Sequence, residues 1–270
     1  MLKVDVVMWA KNGERTLPSV LKRIDEVIPT ENINRRLFID DKSIDQSRQI
    51  AKDFNWEIHD NKSGFICGGA NTALSLVETE FFVSIEQDLY LNKHWWDRIP
   101  KLIQKRKDAI TAQGVRVILN RGLSGISKWA IFRKRTSKTL DNNIWRTKLL
   151  KMLGGFPNDP IAVDSVLDYF YVRPSGLKWI VDFNVVSIHL KPMTVYQYLR
   201  HLMLNKRKKH IRPRLWRHGF REVIRSPVTA ALMLLIVKDP FALPVYISQN
   251  LAQWYGSITQ EIYNPNWIVR

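Results

Sequence analysis

The chain has 270 residues, 45% of them hydrophobic and 11% aromatic, which is enough apolar material to bury a core. Its 42 Lys and Arg outnumber 25 Asp and Glu, and the formal charge of +17 favours nucleic acid, phosphorylated substrates or an anionic membrane as partners. The single cysteine, Cys67, excludes an intramolecular disulfide and fits a reducing compartment. The first residues lack the basic-then-apolar layout of a signal peptide, so we expect the amino-terminal part to be cytoplasmic.

The first 91 residues alternate between short apolar runs and amphipathic segments. We predict strands over residues 3–10, 36–39, 56–59 and 81–85, and helices over residues 19–28, 47–54 and 70–77. This alternation is typical of a parallel sheet with helices on both faces. In open sheets of this type, ligands bind beyond the carboxyl ends of the strands.

Acidic and amide side chains follow three of these strands directly. They are Asn12 and Glu14 after the first strand, Asp40 and Asp41 after the second, and Glu86 and Asp88 after the fourth. Alternate residues of an extended segment point the same way, so the last pair can share one ligand, such as a divalent cation carrying a pyrophosphate. The alternative is a set of ordinary loop acids that cap backbone N–H groups or a helix N-terminus.

Further along the chain, residues 98–107 predict a basic helix and residues 109–117 another strand. Three arginines of this region, Arg116, Arg121 and Arg133, have the right charge to contact phosphate. Basic residues are so common in this sequence that we expect these three to be solvated.

Five segments then form an ordered set of short motifs. They are Ile39-Asp-Asp-Lys-Ser-Ile-Asp45, Gly68-Gly-Ala-Asn71, Ile85-Glu-Gln-Asp88, Gly154-Gly-Phe156 followed by Val163-Asp164, and Ser175-Gly-Leu-Lys178. In their order and spacing, over roughly residues 4–190, they resemble the motifs of family 2 glycosyltransferases with the GT-A nucleotide-sugar fold. Residues 129–133 resemble the strand that precedes the acceptor region of that family.

The sequence departs from the family pattern at four motif positions. Lys42 replaces a glycine, Ala70 an arginine, Glu86 the first aspartate of the Asp-x-Asp motif, and Val163 the first acid of the later acidic pair. The Gln-x-x-Arg-Trp signature of processive polysaccharide synthases is not evident. The fold expectation does not depend on these positions, whereas metal dependence and the substrate contacts do.

The resemblance implies a donor site for a nucleotide diphospho-sugar. Its expected residues are Ala10, Asn12, Glu14, Asp40, Asp41, Asn71, Glu86 and Gln87. Asp88 and His189 would bind Mg²⁺ or Mn²⁺, which neutralises charge on the departing nucleotide. For His189 the alternative is a core or surface histidine without a ligand.

Asp164 is the residue that the resemblance implies as the general base of an inverting transfer. Asp168 lies four residues later, on the same face of a helix, and is either the base itself or a neighbour that tunes it. Asp159 is a weaker candidate in a Pro-flanked loop. For all three the alternative is a solvated acidic loop.

The character of the sequence changes after about residue 191. Residues 200–225 contain ten Lys or Arg and one acid, whereas residues 226–260 carry two charges. Residues 228–237 are the most apolar segment and are too short to span a bilayer. We therefore predict a GT-A domain over residues 1–195 and a helical region over residues 196–270 that attaches to an anionic membrane surface. The alternative is a helical hairpin that packs on the catalytic domain or in a homo-oligomer.

The expected protein is thus an α/β glycosyltransferase with a mostly parallel sheet, at the cytoplasmic face of a membrane. It would move a sugar to a carbohydrate or lipid-linked acceptor. One alternative is nucleotidyl transfer to a sugar phosphate, which releases pyrophosphate. Another is a non-catalytic module that binds membrane or nucleic acid, although no recognised nucleic-acid module is evident and we expect no nucleic-acid partner.

Overall fold

The computed structural model describes residues 2–120, 122–135, 138–159, 163–190, 193–206 and 215–258. The strands are β1 (Val4–Ala10), β2 (Ile33–Asp40), β3 (Glu57–Asp60), β4 (Phe81–Ser84), β5 (Leu89–Tyr90), β6 (Ala109–Ile118), β7 (Asn143–Arg146) and β8 (Lys178–His189). The helices are α1 (Leu17–Val27), α2 (Ser47–Asp53), α3 (Phe65–Leu76), α4 (Trp95–Lys105), α5 (Leu123–Phe132), α6 (Thr147–Met152), α7 (Val163–Val166), α8 (Val195–Lys206), α9 (Leu215–Val237) and α10 (Ala242–Ile258). The chain forms two compact units, the first of residues 1–116 and 137–190 and the second of residues 117–136 and 191–270.

One sheet of eight strands has the order β3-β2-β1-β4-β7-β6-β8-β5. The four strands of the first 91 residues that precede β5 pair in parallel, as predicted from the alternation of strands and helices. Later strands pair antiparallel, with β7 between β4 and β6 and β5 beside β8. The predicted α/β class is therefore confirmed. The parallel half of the sheet consists of β1 to β4, the four strands predicted in the first 91 residues.

Strand β1 runs through the centre of the first unit and is buried along its whole length. Alternate residues point to opposite faces, so Val6 and Met8 pack into one core cluster and Val7 and Trp9 into the other. The carboxylate of Asp5, also fully buried, accepts the backbone N–H of Glu78 at 2.7 Å and fixes the loop before β4. A strand buried on both faces is what a sheet covered by helices requires.

The prediction of a strand over residues 129–133 is wrong, because these residues lie at the end of α5. Leu123, Ile126 and Trp129 recur at every third position and are buried, as the helical period requires. They pack within the second unit against Met233 and Ala242. The short apolar run 129–132 is compatible with either a strand or a helix. The spacing of apolar residues over the longer segment from Leu123 to Trp129 indicates the helix.

The second unit is helical, with α10 packed against α5, α8 and α9. Helix α9 continues through Pro227, whose nitrogen cannot donate to the carbonyl of Val223; the hydroxyl of Ser226 donates to that carbonyl instead, at 2.7 Å. The predicted basic segment 200–225 is divided between α8 and α9, and residues 207–214 lie outside the described residues. Within the described part of the chain, no helix is both long and apolar enough to cross a membrane.

Candidate active site

The turn after β4 and the end of β8 bring Glu86, Asp88 and His189 together. Leu89 of β5 pairs with His189 of β8, and the backbone N–H of Leu190 donates to the carbonyl of Asp88 at 2.7 Å. Asp88 and His189 are consequently both buried, with Oδ1 of Asp88 3.5 Å from Nε2 of His189. One ligand atom from each of the three side chains lies within 4.8 Å of the others.

This cluster fits a divalent cation. Oδ1 of Asp88 is buried and accepts no hydrogen bond from the described residues. Such an oxygen is costly in a folded protein unless a cation or a donor satisfies it. Two carboxylates and one imidazole nitrogen are a donor set that Mn²⁺ accepts, and the carboxylates also suit Mg²⁺.

Arg116 connects the cluster to a buried acid that no motif indicates. Its Nη1 lies 2.6 Å from Oδ2 of Asp141 and 3.6 Å from Oε2 of Glu86. Asp141 is completely buried. Burial, together with the charges of Asp141 and Asp88, raises the pKa of Glu86 to about 8, and the charge of Arg116 limits the rise. Burial alone would lower the pKa of Arg116, but the charges of Asp141 and Glu86 raise it above its ordinary value.

Asp164, the predicted base, lies in α7 and is half-buried. Its Oδ1 accepts the backbone N–H of Ser165 at 2.6 Å. Burial raises the pKa of Asp164 to about 6, while the Ser165 N–H and the charge of Arg116 act in the other direction. The carboxyl group therefore titrates near neutrality, which suits a group that takes up and releases protons.

Asp168, the alternative base, has both carboxylate oxygens in ion pairs. Oδ1 pairs with the ammonium of Lys138, and Oδ2 lies 2.6 Å from Nη2 of Arg173. The side chain is buried. Two charge-assisted pairs fix the position of this carboxylate, so Asp168 anchors its segment. Asp159, the weaker candidate, donates its backbone N–H to the carbonyl of Pro157 at 2.8 Å.

On the predicted donor side, the ends of β1 and β2 lie next to each other. Ala10 pairs with Asp40, and the N–H of Asp41 donates to the carbonyl of Ala10 at 2.8 Å. The carboxylate of Asp40 is buried, lies 3.0 Å from Nη1 of Arg48 and accepts the N–H of Ser43, so it stabilises its own loop. Asp41 is more accessible.

Asn12 and Glu14 are exposed and join the loop after β1 to the loop after β2. Oδ1 of Asn12 accepts the N–H of Ile44 at 2.9 Å, and Oε2 of Glu14 accepts the N–H of Gln46 at 3.1 Å. These bonds hold the two loops beside each other. A role of either residue in donor binding stays a prediction.

Gln87 and Asn71 use their side-chain amides on protein backbone. Gln87 accepts the N–H of Lys11 at 2.7 Å and donates to its carbonyl at 2.9 Å. Asn71 accepts the N–H of Phe156 at 2.9 Å and donates to its carbonyl at 2.8 Å, which fixes the turn after Gly154 and Gly155. Both amides therefore position loops around the site, and their predicted donor contacts stay predictions.

The pairing of Arg116 with Asp141 was not predicted from the sequence. Arg116 was expected to be solvated, yet its side chain is 31% exposed and lies between two carboxylates. One signal was available, because an arginine that follows the apolar run of β6 needs a carboxylate partner if it is not at the surface. Nothing in the sequence identified Asp141 as that partner. Arg121 lies outside the described residues.

This chain matches a known family in sequence and resembles solved proteins in structure. The profile of the family described as "Glycosyl transferase family 2" matches residues 5–156. A mannosyltransferase of Pyrobaculum calidifontis, solved with GDP-Man and Mn²⁺, is similar in structure with a TM-score of 0.61 and 17% identity, covering 92% of this chain and 73% of that chain. No curated protein sequence matches significantly.

Two further solved structures share the fold. Glucosyl-3-phosphoglycerate synthase of Mycobacterium tuberculosis, solved with Mn²⁺, UDP and glucosyl-3-phosphoglycerate, has a TM-score of 0.57 and 12% identity, covering 78% of this chain and 80% of that chain. TarS of S. aureus, solved with UDP-GlcNAc, has a TM-score of 0.54 and 18% identity, covering 76% of this chain and 66% of that chain. These likenesses confirm the predicted GT-A fold.

Proposed function

Because the chain belongs to glycosyl transferase family 2, we propose that it moves one sugar from a nucleotide diphospho-sugar to an acceptor with inversion at the anomeric carbon. Sugar transfer from a nucleotide sugar is the general activity of this family. The observation that carries it is the convergence of the Glu86, Asp88 and His189 cluster with Arg116, whose charge also acts on Asp164. A binding module alone has no use for that combination.

Glu86, Asp88 and His189 would hold Mg²⁺ or Mn²⁺. When bound, such a cation neutralises the negative charge of the diphosphate leaving group. The unsatisfied Oδ1 of Asp88 supports this assignment. The mannosyltransferase and glucosyl-3-phosphoglycerate synthase were both solved with Mn²⁺, which supports it as well.

Asp164 would act as the general base. The acceptor oxygen forms a bond to the anomeric carbon while the bond from that carbon to the diphosphate oxygen breaks. The acceptor hydroxyl gives its proton to the carboxylate of Asp164, and the nucleoside diphosphate leaves with the electron pair of the broken bond. A pKa of about 6 supports this role, because the carboxylate is ionised at neutral pH and still basic enough to accept a proton.

The accessible donor-side groups are Asn12, Glu14 and Asp41 at the ends of β1 and β2. A carboxylate there can accept ribose hydroxyls or a base N–H. We propose that Asp40, Asn71 and Gln87 position this site, because both polar atoms of each side chain are already bonded to the protein. For the acceptor we propose a carbohydrate or a lipid-linked molecule at an anionic, cytoplasmic membrane surface.

The test is thermal stabilisation of the whole chain by UDP, GDP, CDP and dTDP, each with Mn²⁺ and with EDTA. Ligand that binds the native state raises its stability by about 2.7 kcal/mol at a hundredfold excess over Kd. A Mn²⁺-dependent rise in Tm with one of the four nucleotides supports the donor class and the metal site together. The absence of a rise with all four nucleotides contradicts the proposal.

A further inference from the structure

The positive charge of the chain is concentrated in the second unit. Residues 117–136 and 191–270 contain 18 Lys and Arg and three acids, which accounts for +15 of the formal +17. The first unit, with the candidate active site, is therefore almost neutral. A charge confined to one unit indicates a function of that unit rather than a property of the protein's whole surface.

Helix α9 of the second unit exposes a continuous stripe with two different halves. The arginine row, Arg217, Arg221 and Arg225, occupies the first half, and the apolar row, Val228, Leu232 and Leu235, occupies the second. Successive members are three or four residues apart, so all six lie on one face of the helix, over about 27 Å.

All six side chains of this stripe are exposed. Val228 is 69% exposed, Leu232 50% and Leu235 73%. The opposite face, by contrast, contains the buried Ala230 and Met233. A helix that buries one apolar face and presents a second to the outside has a partner that its own unit does not supply.

Three kinds of partner would cover different parts of this stripe. Nucleic acid would pair with the arginine row and leave the apolar row in water. A second copy of this chain would bring together two units that carry +15 each, and their charges repel. An anionic lipid surface satisfies both halves, because arginines bind its headgroups while the apolar side chains enter the acyl boundary.

We propose that α9 lies flat on an anionic bilayer, with the arginine row at the headgroups and the apolar row inserted below them. This proposal rests on the membrane association that forms part of the proposed function, and it identifies the surface that makes the contact. It does not depend on which sugar is transferred. Each arginine near an anionic leaflet increases partitioning roughly fivefold at moderate salt, so the arginine row contributes on the order of a hundredfold. The apolar row contributes at least as much.

The experiment uses the full chain and two kinds of vesicle, pure phosphatidylcholine and phosphatidylcholine mixed with phosphatidylserine. One variant replaces the arginine row by Glu, and another replaces the apolar row by Asn. The matched control replaces Lys22, Lys52 and Lys62 by Glu, because these three residues are exposed in the first unit and the change in net charge is the same. Tm of each variant verifies that it is folded.

We expect partitioning onto phosphatidylserine vesicles to fall at least a hundredfold in both α9 variants and less than threefold in the control. Equal losses in the control and the arginine variant would overturn the proposal, because any surface charge would then suffice. Binding that needs only the arginine row, together with salt-sensitive binding to an oligonucleotide, would also overturn it in favour of nucleic acid.

A dimer in solution that only the apolar variant dissociates would overturn the proposal in favour of a second copy of the chain. The nucleotide-dependent rise in Tm distinguishes failure of membrane docking from failure of the proposed transferase function. If that rise is preserved in a protein that does not bind vesicles, membrane docking alone has failed. If vesicles bind and no nucleotide stabilises the chain, the transferase proposal has failed instead.

Discussion

Replacement of Asp164 by Asn is expected to remove sugar transfer and to preserve the fold. Loss of a positioned general base lowers kcat by about 10²- to 10⁴-fold. At pH 7 the Asn variant is expected to be at least as stable as the wild type. Burial raises the folded-state pKa of Asp164 from 3.8 to about 6, so ionisation of this group costs stability as the pH rises through that interval. A neutral Asn does not carry this cost at pH 7.

The same pKa sets the pH dependence of the wild-type enzyme. With a pKa of about 6, about nine-tenths of Asp164 is ionised at pH 7 and about one-tenth at pH 5. We therefore expect kcat/KM to fall about tenfold for each pH unit below 6. The assay measures release of nucleoside diphosphate from the donor that stabilises the chain, together with Tm of each protein at pH 7.

Asp168→Asn is the matched comparison, because it makes the same chemical change four residues away. Asp168 is buried and paired with Lys138 and Arg173. Removal of one partner of a buried ion pair costs about 3–5 kcal/mol, which lowers Tm by roughly 6–20 °C for a unit of this size. Normal turnover in Asp164→Asn would refute the base assignment. Lost turnover with an unchanged Tm in Asp168→Asn would transfer the role to Asp168.

Three more substitutions test separate parts of the structure. Asp88→Asn should abolish the Mn²⁺-dependent part of the nucleotide-induced rise in Tm; an undiminished metal effect would contradict the assignment of Asp88 as a ligand. Asp141→Asn leaves Arg116 without its closest carboxylate and should cost about 1–3 kcal/mol in urea unfolding. Gly125→Val should destabilise the second unit by about 1–3 kcal/mol. The reason is that even a Cβ at this position would clash with the Cβ of Ala242. An unchanged unfolding curve would show that α5 and α10 can move apart there.

The fold class was predictable because its evidence is local. Strand β4 follows from the aromatic and β-branched run that begins at Phe81, and β1 from an apolar run of similar kind. Side-chain periodicity and turn residues are properties of a few neighbouring positions, so they are visible in one sequence. The strand predicted over residues 129–133 failed because a short apolar run is compatible with both periods.

The candidate site was predictable only in part. Glu86 and Asp88 belong to one short motif, and the family resemblance added His189 and Asp164. Their order along the chain did not distinguish Asp164 from Asp168, since both are acids on one helical face. The ion pairs of Asp168 favour Asp164 as the predicted base, and they involve Lys138, which is 30 residues away in the chain.

The sequence by itself determined that the first half of this chain forms a helix-covered sheet with acids after its strands, and that the basic residues collect toward the carboxyl terminus. Periodicity, motif spacing and charge counts are local or additive, so they do not depend on the folded arrangement. Only the tertiary structure decided that Arg116 pairs with Asp141, 25 residues away, and that the arginine and apolar rows of α9 share one exposed face. Burial and pairing are set by neighbours distant in sequence, and the free energy of a charge depends on those neighbours more than on its own residue type.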